Sequence, residues 1–244
     1  MSNKRATISA DIISSTSLTS VEMAALHQTI NSTFGLIENE LANKKESFWG
    51  RIVKGDAIEC VFDSPRYALR SALLLKSAVL LASSSWESGN EEGLSEKGMA
   101  YFKSYGLRMA IGVGKMRTVD KATGIIDGDA IYKSGRKIAS YSTSGKERIR
   151  IKNTLFYVSD DPRENRIMEA LLSFADVLYK KATPKQMQVL YYKLQGKTDA
   201  EIAEALGYRI STINKHGLLL GWNAIAEMLD LYENTLFAKY RSVC

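Results

Sequence analysis

Two helix-capping boxes constrain what the C-terminal third of this chain can fold into. Each is a Thr followed three residues later by Gln or Glu, in the segments TPKQ (183–186) and TDAE (198–201). Such a box satisfies backbone N–H groups at both of its residues, so it fixes where a helix begins. Gly196 and Gly207 follow as helix stops. The pattern predicts three consecutive helices: Pro184 to Leu194, Asp199 to Leu206, and a third that begins near Ile210.

Apolar and polar side chains divide cleanly over these three predicted helices. The apolar set should form a small shared core: Ile202, Ala203, Leu206, Ile210 and Ile213. The third helix should carry its polar residues outward: Ser211, Thr212, Asn214, Lys215 and His216. Further on, the apolar spacing of Trp222, Ile225, Leu229 and Leu236 favours a fourth packed helix or a dimer contact over a nucleic-acid contact.

Residues 1–158 alternate strand and helix signals instead. RATISADII (5–13) and FWGRIVKGDAIECVF (48–62) are rich in β-formers, and the second run breaks at a Gly55-Asp56 turn. Helical spacing follows in 17–42 and 63–85, whereas 86–98 is polar and glycine-rich, as in a loop. This order predicts an α+β fold of the ferredoxin-like class, an antiparallel sheet with helices on one face, followed by an all-α part.

The polar segment around Pro162 marks the predicted domain boundary. We expect an α+β domain over 1–158, a linker over 159–165, and a helical domain over 166–244 with its helix-turn-helix at about 183–220. Residues 1–158 hold 22 basic and 16 acidic side chains, whereas residues 159–244 hold 11 of each. The basic excess, densest in 133–152, favours polyanionic partners.

Composition excludes several classes of protein. With 45% hydrophobic and 25% charged residues the chain is neither disordered nor fibrous. Two cysteines, Cys60 and Cys244, cannot build a disulfide scaffold, and two histidines make a His-rich metal centre implausible. The longest apolar stretch, 69–82, is too short and too charged to span a bilayer, and no signal peptide is evident. We expect a cytoplasmic protein without a membrane partner.

The stretch ATPKQMQVLYYKLQGKTDAEIAEALGYRISTINKHGLLLGWNAI (182–225) resembles the helix-turn-helix of LuxR-type regulators and of sigma-factor promoter-binding regions. The resemblance implies that the third helix enters the major groove of DNA. The implied DNA-binding residues are Lys197, Ser211, Thr212, Asn214, Lys215 and His216. Two residues depart from the family: Arg209 stands where a Ser or Thr usually caps the third helix, and Gly217 replaces an apolar residue. A tri-helical protein-interaction module is the alternative.

Three segments of the first domain resemble class III adenylyl and guanylyl cyclases: ISADIISSTSLT (8–19), RIVKGDAIECVFDSPRYALRSAL (51–73), and LRMAIGVGKM (107–116) followed by IIDGDAIYKSGRKIAS (125–140). Cyclases of this class carry two divalent ions, which activate the attacking ribose oxygen and screen the phosphates. The resemblance implies that Asp11 and Asp56 hold Mg²⁺ or Mn²⁺ with a nucleotide. It also makes Arg136 the transition-state cation. The alternative for both Asp residues is a structural role at turns.

Other positions depart from the cyclase pattern. Ile52 and Ile125 stand where polar residues normally read the purine, and Tyr132 stands at the ribose-orienting Asn. Lys54 and Asp127 are the candidate substitutes for nucleotide binding, Lys54 from the same strand face as Ile52. These departures favour a degenerate cyclase domain that senses a ligand or dimerises.

The sequence therefore predicts a homodimeric, DNA-binding transcriptional regulator. A metal-dependent nucleotide cyclase with a regulatory helix-turn-helix is the first alternative. The second is an RNA- or protein-binding adaptor that uses the basic run 133–152.

Overall fold

A computed structural model describes residues 4–84, 86, 96–141 and 151–237, and it confirms the α+β class. The strands are β1 (Lys4–Ile12), β2 (Phe48–Val53), β3 (Ala57–Phe62), β4 (Leu107–Asp120), β5 (Ile125–Gly128) and β6 (Leu155–Val158). The helices are α1 (Ser20–Asn43), α2 (Ala68–Ser83), α3 (Glu96–Tyr105), α4 (Asp129–Ser140), α5 (Pro162–Lys181), α6 (Pro184–Leu194), α7 (Asp199–Leu206), α8 (Ile210–Leu220) and α9 (Trp222–Asp230). A π-helical turn, Leu231–Leu236, continues α9.

The sheet has the strand order β2-β3-β1-β4, and each of these neighbours pairs antiparallel. Strand β4 is long enough to have two partners on its outer edge. Its first half pairs parallel with β6, and its second half pairs antiparallel with β5. Strand β1 is therefore central, and the side chains near its end lie between β3 and β4.

The two faces of the sheet are packed differently. Ala6, Ile8 and Ala10 of β1 face the main hydrophobic core, which they share with α1 and α2. Thr7 and Ser9 point to the opposite face, where their hydroxyls bond that of Ser134 in α4, at 3.0 and 2.8 Å. The expectation of helices on one face only is therefore wrong, because α4 covers the second face over β1 and β4.

Glycine explains how α4 comes so close to the sheet. A Cβ on Gly112 of β4 would overlap the carbonyl oxygen of Ala130 and lie 2.8 Å from the backbone nitrogen of Ser134. Gly114, two residues along the same face, would likewise meet Ala130 at 3.0 Å. The IGVG segment of β4 thus acts as a seat for α4, a role that its strand-like pattern did not reveal.

Helix α3 was missed from the sequence. Its first residues, Glu96 to Gly98, belong to the stretch predicted as a loop, of which residues 87–95 lie outside the described residues. Met99 and Phe102 of α3 are buried one helical turn apart, and the Phe102 ring stacks on Trp86 at 5.7 Å. That spacing was the available signal, but ten residues are too few for periodicity to decide.

The helical part shares its core with the sheet. Met168, Leu172 and Tyr179 of α5 and Leu190 of α6 belong to the same buried cluster as Ile8 of β1. Within the segment predicted as a linker, Asp161 caps α5 and the helix begins at Pro162. No helix in the described part of the chain combines the length and apolar character needed to cross a membrane.

Candidate functional site

The two carboxylates assigned to metal binding lie near each other at one end of the sheet. Asp11 is near the end of β1, opposite Ala57 of β3, and Asp56 is in the turn immediately before β3. The backbone N–H of Ile12 donates to the Asp56 carbonyl at 3.0 Å, which ties the turn to β1. Asp11 therefore lies on β1 as predicted, whereas Asp56 lies in the turn that leads into the adjacent strand β3.

The side chains of this pair already have protein partners. Arg108 of β4, only 6% exposed, grips both oxygens of Asp11, with its Nε 2.9 Å from Oδ1 and its Nη2 in contact with Oδ2. The Arg108 Nη1 donates to the carbonyl of Tyr141 at the end of α4. Asp56 accepts a hydrogen bond from the Ser15 hydroxyl at 3.0 Å. Such a bidentate pair is a strong, directional interaction.

This donor set does not fit a two-metal site. Both oxygens of Asp11 are occupied, and a guanidinium beside them would repel a dication. Arg108 itself supplies the positive charge that a metal would bring to Asp11. Asp11 and Asp56 are therefore not arranged to bind a pair of divalent ions. Arg108 was not singled out from the sequence, because only the strand register reveals that it faces Asp11.

The two candidate nucleotide-binding residues lie apart from each other. Lys54 is exposed in the β2–β3 turn with a left-handed backbone, φ 53°, rather than on the strand face expected from the sequence. The neighbouring Gly55 carbonyl accepts a hydrogen bond from the Nε2 of His27 at 2.5 Å. Asp127 on β5 forms an ion pair with Arg117 at 2.7 Å and accepts a hydrogen bond from the Tyr132 hydroxyl. Hydrogen bonds from Arg117 and then Tyr132 lower the pKa of Asp127.

Arg136 is exposed on α4, one helical turn after Tyr132. Its guanidinium lies 5.5 Å from the centroid of the Tyr132 ring, and that of Arg117 lies 5.8 Å from the same centroid. Among the described residues, Arg136 has no carboxylate partner. Its charge therefore remains available to an anion from outside the chain.

The C-terminal helices begin and end where the capping signals predicted. Thr183 and Thr198 each form a reciprocal capping box, with Gln186 and Glu201 respectively. Helix α7 ends at Gly207, whose φ of 67° is left-handed, and α8 begins after a three-residue connection. Two short helices joined by a three- or four-residue turn that contains glycine are the general pattern of a helix-turn-helix.

The small core between these helices differs at two positions from the prediction, because it includes Val189 and lacks Ile210. Val189, Ile202, Ala203 and Ile213 are its buried members, and Leu206 packs against them at its edge. Ile210 was expected in this core but is 50% exposed, so that prediction is wrong. The reason is its position at the first residue of α8, three residues before Ile213 and beyond the end of the packed stripe.

Helix α8 exposes four of the predicted DNA-binding residues in different degrees. Ser211, Asn214 and Lys215 are exposed, whereas Thr212 is half-buried at the flank. His216 lies on the inner side of the helix, and its buried Nδ1 has no hydrogen-bond partner. Lys197 lies before α7, with its Nζ 3.8 Å from Glu201.

Gly217, the unexpected glycine inside α8, allows a close approach by α6. A Cβ at this position would lie 3.2 Å from the Cε of Lys193. The Lys193 ammonium pairs with Asp199 at 2.5 Å and lies 5.3 Å from the Trp222 ring centroid. Lys193 therefore links α6 to both α7 and α9, and it passes through the space that the absence of a side chain at Gly217 leaves.

A buried polar network joins α5 to the sheet. The ammonium of Lys76 in α2 donates to the carbonyls of Tyr105 and Leu107 and to the Thr154 hydroxyl, at 2.6, 2.7 and 2.9 Å. Asp176 of α5 accepts from the backbone N–H of Thr154 and from its hydroxyl. Because Lys76 is only 1% exposed, this network is sheltered from solvent.

A second connection between the C-terminal helices and α2 involves the π-helical turn. Arg70 of α2 forms a two-point pair with Glu233, with contacts of 2.7 and 3.1 Å. The Tyr232 hydroxyl donates to the Pro65 carbonyl at 3.0 Å, and burial raises the pKa of that phenol. These contacts hold the π-helical turn against α2 and the residues that precede it. They help to fix the C-terminal helices on the N-terminal domain.

The chain matches no protein-family model, and no curated protein sequence matches it significantly.

Proposed function

We propose that this protein is a DNA-binding transcriptional regulator. Its C-terminal helix-turn-helix would read DNA through α8, and its cyclase-like domain would form a homodimer and sense a phosphate-bearing ligand. The observation that carries the proposal is the α6–α7–α8 arrangement, with its glycine turn and the exposed polar surface at the start of α8.

The surface of α8 supports the DNA-binding part. Ser211, Asn214 and Lys215 lie on one side of the helix, and their side chains form no hydrogen bond or ion pair with other described residues. Ile213 and Leu220 anchor the other side. In helix-turn-helix proteins the early residues of the second helix meet base edges in the major groove. A dimer would present two such helices to paired half-sites.

The N-terminal topology supports the cyclase-like part. The order β1-α1-β2-β3-α2-α3-β4, with antiparallel strands arranged β2-β3-β1-β4, is consistent with a ferredoxin-like arrangement to which α3 is added. Arg136 retains an exposed guanidinium at the phosphate-directed position, whereas Asp11 is neutralised by Arg108. This combination favours binding of an anion without divalent-metal chemistry.

A selection from random duplex oligonucleotides at low salt, with the full chain, tests DNA binding. We expect an enriched sequence, and Lys215→Ala should weaken binding and reduce the salt slope by about 1, since one phosphate contact is lost. Lys181→Ala, at an exposed site on α5, is the matched control and should bind as the wild type does. Failure to enrich any sequence would overturn the proposal.

The enzyme alternative makes a different prediction. A cyclase would convert ATP or GTP with Mn²⁺ into a cyclic product, and the product would disappear in Asp56→Ala. We expect no cyclic product by mass spectrometry, because Arg108 occupies Asp11. Product that depends on Asp56 would make the helix-turn-helix an accessory to catalysis.

The adaptor alternative depends on the basic run 133–152. Two of its described lysines, Lys133 and Lys137, already pair with Asp160 at 2.6 Å and Glu169 at 3.5 Å. Residues 142–150 of the run lie outside the described residues, as does Cys244. Charge reversal at Arg148 and Arg150 should leave DNA binding intact if α8 is the interface.

A further inference from the structure

The N-cap residue and the first helical residue of α8 stand out because both side chains are exposed. Arg209 occupies the helix N-cap, makes no capping hydrogen bond through its side chain and is exposed. Among the described residues it has no ion-pair or hydrogen-bond partner for its guanidinium. Ile210 follows at the first helical position and leaves half of its surface in solvent.

Both residues depart from what helix stability alone would select. Ser, Thr, Asp or Asn at the N-cap stabilises a helix by about 1 kcal/mol over residues that cannot cap, and α6 and α7 both use Thr there. Helix α8 instead places a cation at the positive end of its dipole, where a cation is unfavourable. An exposed Ile adds nothing to the core at this position. The local chemistry therefore suits a partner outside the chain.

We infer that Arg209 and Ile210 determine sequence specificity, Arg209 by pairing with a guanine and Ile210 by packing on the methyl group of a thymine in the same half-site. This inference rests on the proposed DNA-binding function. Arg pairs in two-point fashion with the O6 and N7 of guanine, and apolar side chains contact the C5-methyl of thymine in the major groove. The side chains at the N-terminal end of such a helix are those closest to base edges.

The neighbouring side chains of α8 are consistent with this division of labour. Asn214 lies one helical turn after Ile210, and Lys215 one turn after Ser211, so these residues form one continuous exposed surface. Ile210 and Arg209 lie at its N-terminal edge. Polar side chains would contact phosphates and neighbouring bases, and the two N-terminal residues would supply the readout that discriminates sequence.

The test uses the full chain and the DNA site obtained from the selection described above. Each guanine in that site is replaced in turn by 7-deazaguanine, which lacks N7, and each thymine by uracil, which lacks the methyl group. We expect one guanine whose replacement weakens wild-type binding by about 5- to 150-fold, and one thymine whose replacement weakens it by about 4-fold. Arg209→Ala should become insensitive to the first change, and Ile210→Ala to the second.

Matched variants separate readout from general effects. Arg163→Ala and Ile167→Ala alter an exposed arginine and a similarly exposed isoleucine on α5, and both should keep the wild-type base sensitivities. Arg209→Lys keeps the charge but loses the planar two-point geometry, so its sensitivity to the guanine replacement should fall below that of the wild type. If Arg209→Ala keeps the wild-type sensitivity to 7-deazaguanine, Arg209 does not read that guanine and the inference fails. If the wild type selects no sequence at all, the proposed function itself fails.

Discussion

Lys76 offers a quantitative test of how the helical bundle is joined to the sheet. Burial lowers the pKa of Lys76 to about 8, although Asp176 opposes the shift. In the unfolded chain the same amine keeps its proton up to about pH 10.4. Between these values the unfolded state binds more protons than the folded state does. The free energy of unfolding therefore gains a contribution as pH rises, complete above about pH 10.4 and lost as pH falls through 8. From pH 7 to pH 9 the gain is about 1.3 kcal/mol, at 1.36 kcal/mol per pKa unit.

The assay compares urea unfolding of the wild type and of Lys76→Met at pH 7, 8 and 9. The unfolding free energy of the wild type minus that of Lys76→Met should increase by about 1.3 kcal/mol from pH 7 to pH 9. Taking the difference removes other groups, including Cys60, whose pKa burial raises and whose contribution has the opposite sign at alkaline pH. Lys181→Met, at an exposed site, should show no trend. A difference that is constant with pH, or that shifts the other way, would refute the burial of a charged Lys76 in the network.

Two further predictions concern packing. Gly112→Ala should destabilise the protein by about 3 kcal/mol, because its Cβ would overlap the backbone of Ala130. Gly35→Ala in α1 is its counterpart: nothing lies within 4 Å, so the free energy of unfolding should rise by up to about 1 kcal/mol. Equal effects of both in thermal or urea unfolding would contradict the close seating of α4. Arg70→Met should cost about 3 kcal/mol by leaving the buried Glu233 without its partner, and a variant of unchanged stability would show that the pair contributes nothing.

Helices α6 and α7 could be predicted to the residue because their boundaries are set by local chemistry. A Thr that caps, a Gln or Glu that returns the bond, and a glycine that tolerates positive φ act within a few residues of chain. Thr198 and Gly207 therefore specify α7 without help from the rest of the protein. Ile210 shows the limit of the same reasoning. Its apolar character predicted burial, yet burial depends on how far the packed stripe extends in three dimensions.

The candidate site near Asp11 was less accessible to sequence reasoning. The motif placed Asp11 and Asp56 on adjacent strands, and the structure has Asp11 on β1 and Asp56 in the turn that leads into β3. That Arg108 faces Asp11 follows from the antiparallel register of β1 and β4, and register is a long-range property. The seating of α4 on Gly112 escaped for a similar reason, since a glycine in a strand pattern gives no sign of what approaches it.

The shared core beneath α5 and α6 has a consequence for how such a protein can be built from parts. A domain that is joined to the rest of a protein only by a flexible linker can be excised, fused to another domain and still fold. Here Met168 and Leu172 would be uncovered by such a cut, and the apolar side of α2 would lose the neighbour that α6 provides. Recombination at residues 159–165 would therefore yield two fragments that each expose hydrophobic surface and are prone to aggregate. A substitution on one side of this shared core therefore requires a compensating substitution on the other side.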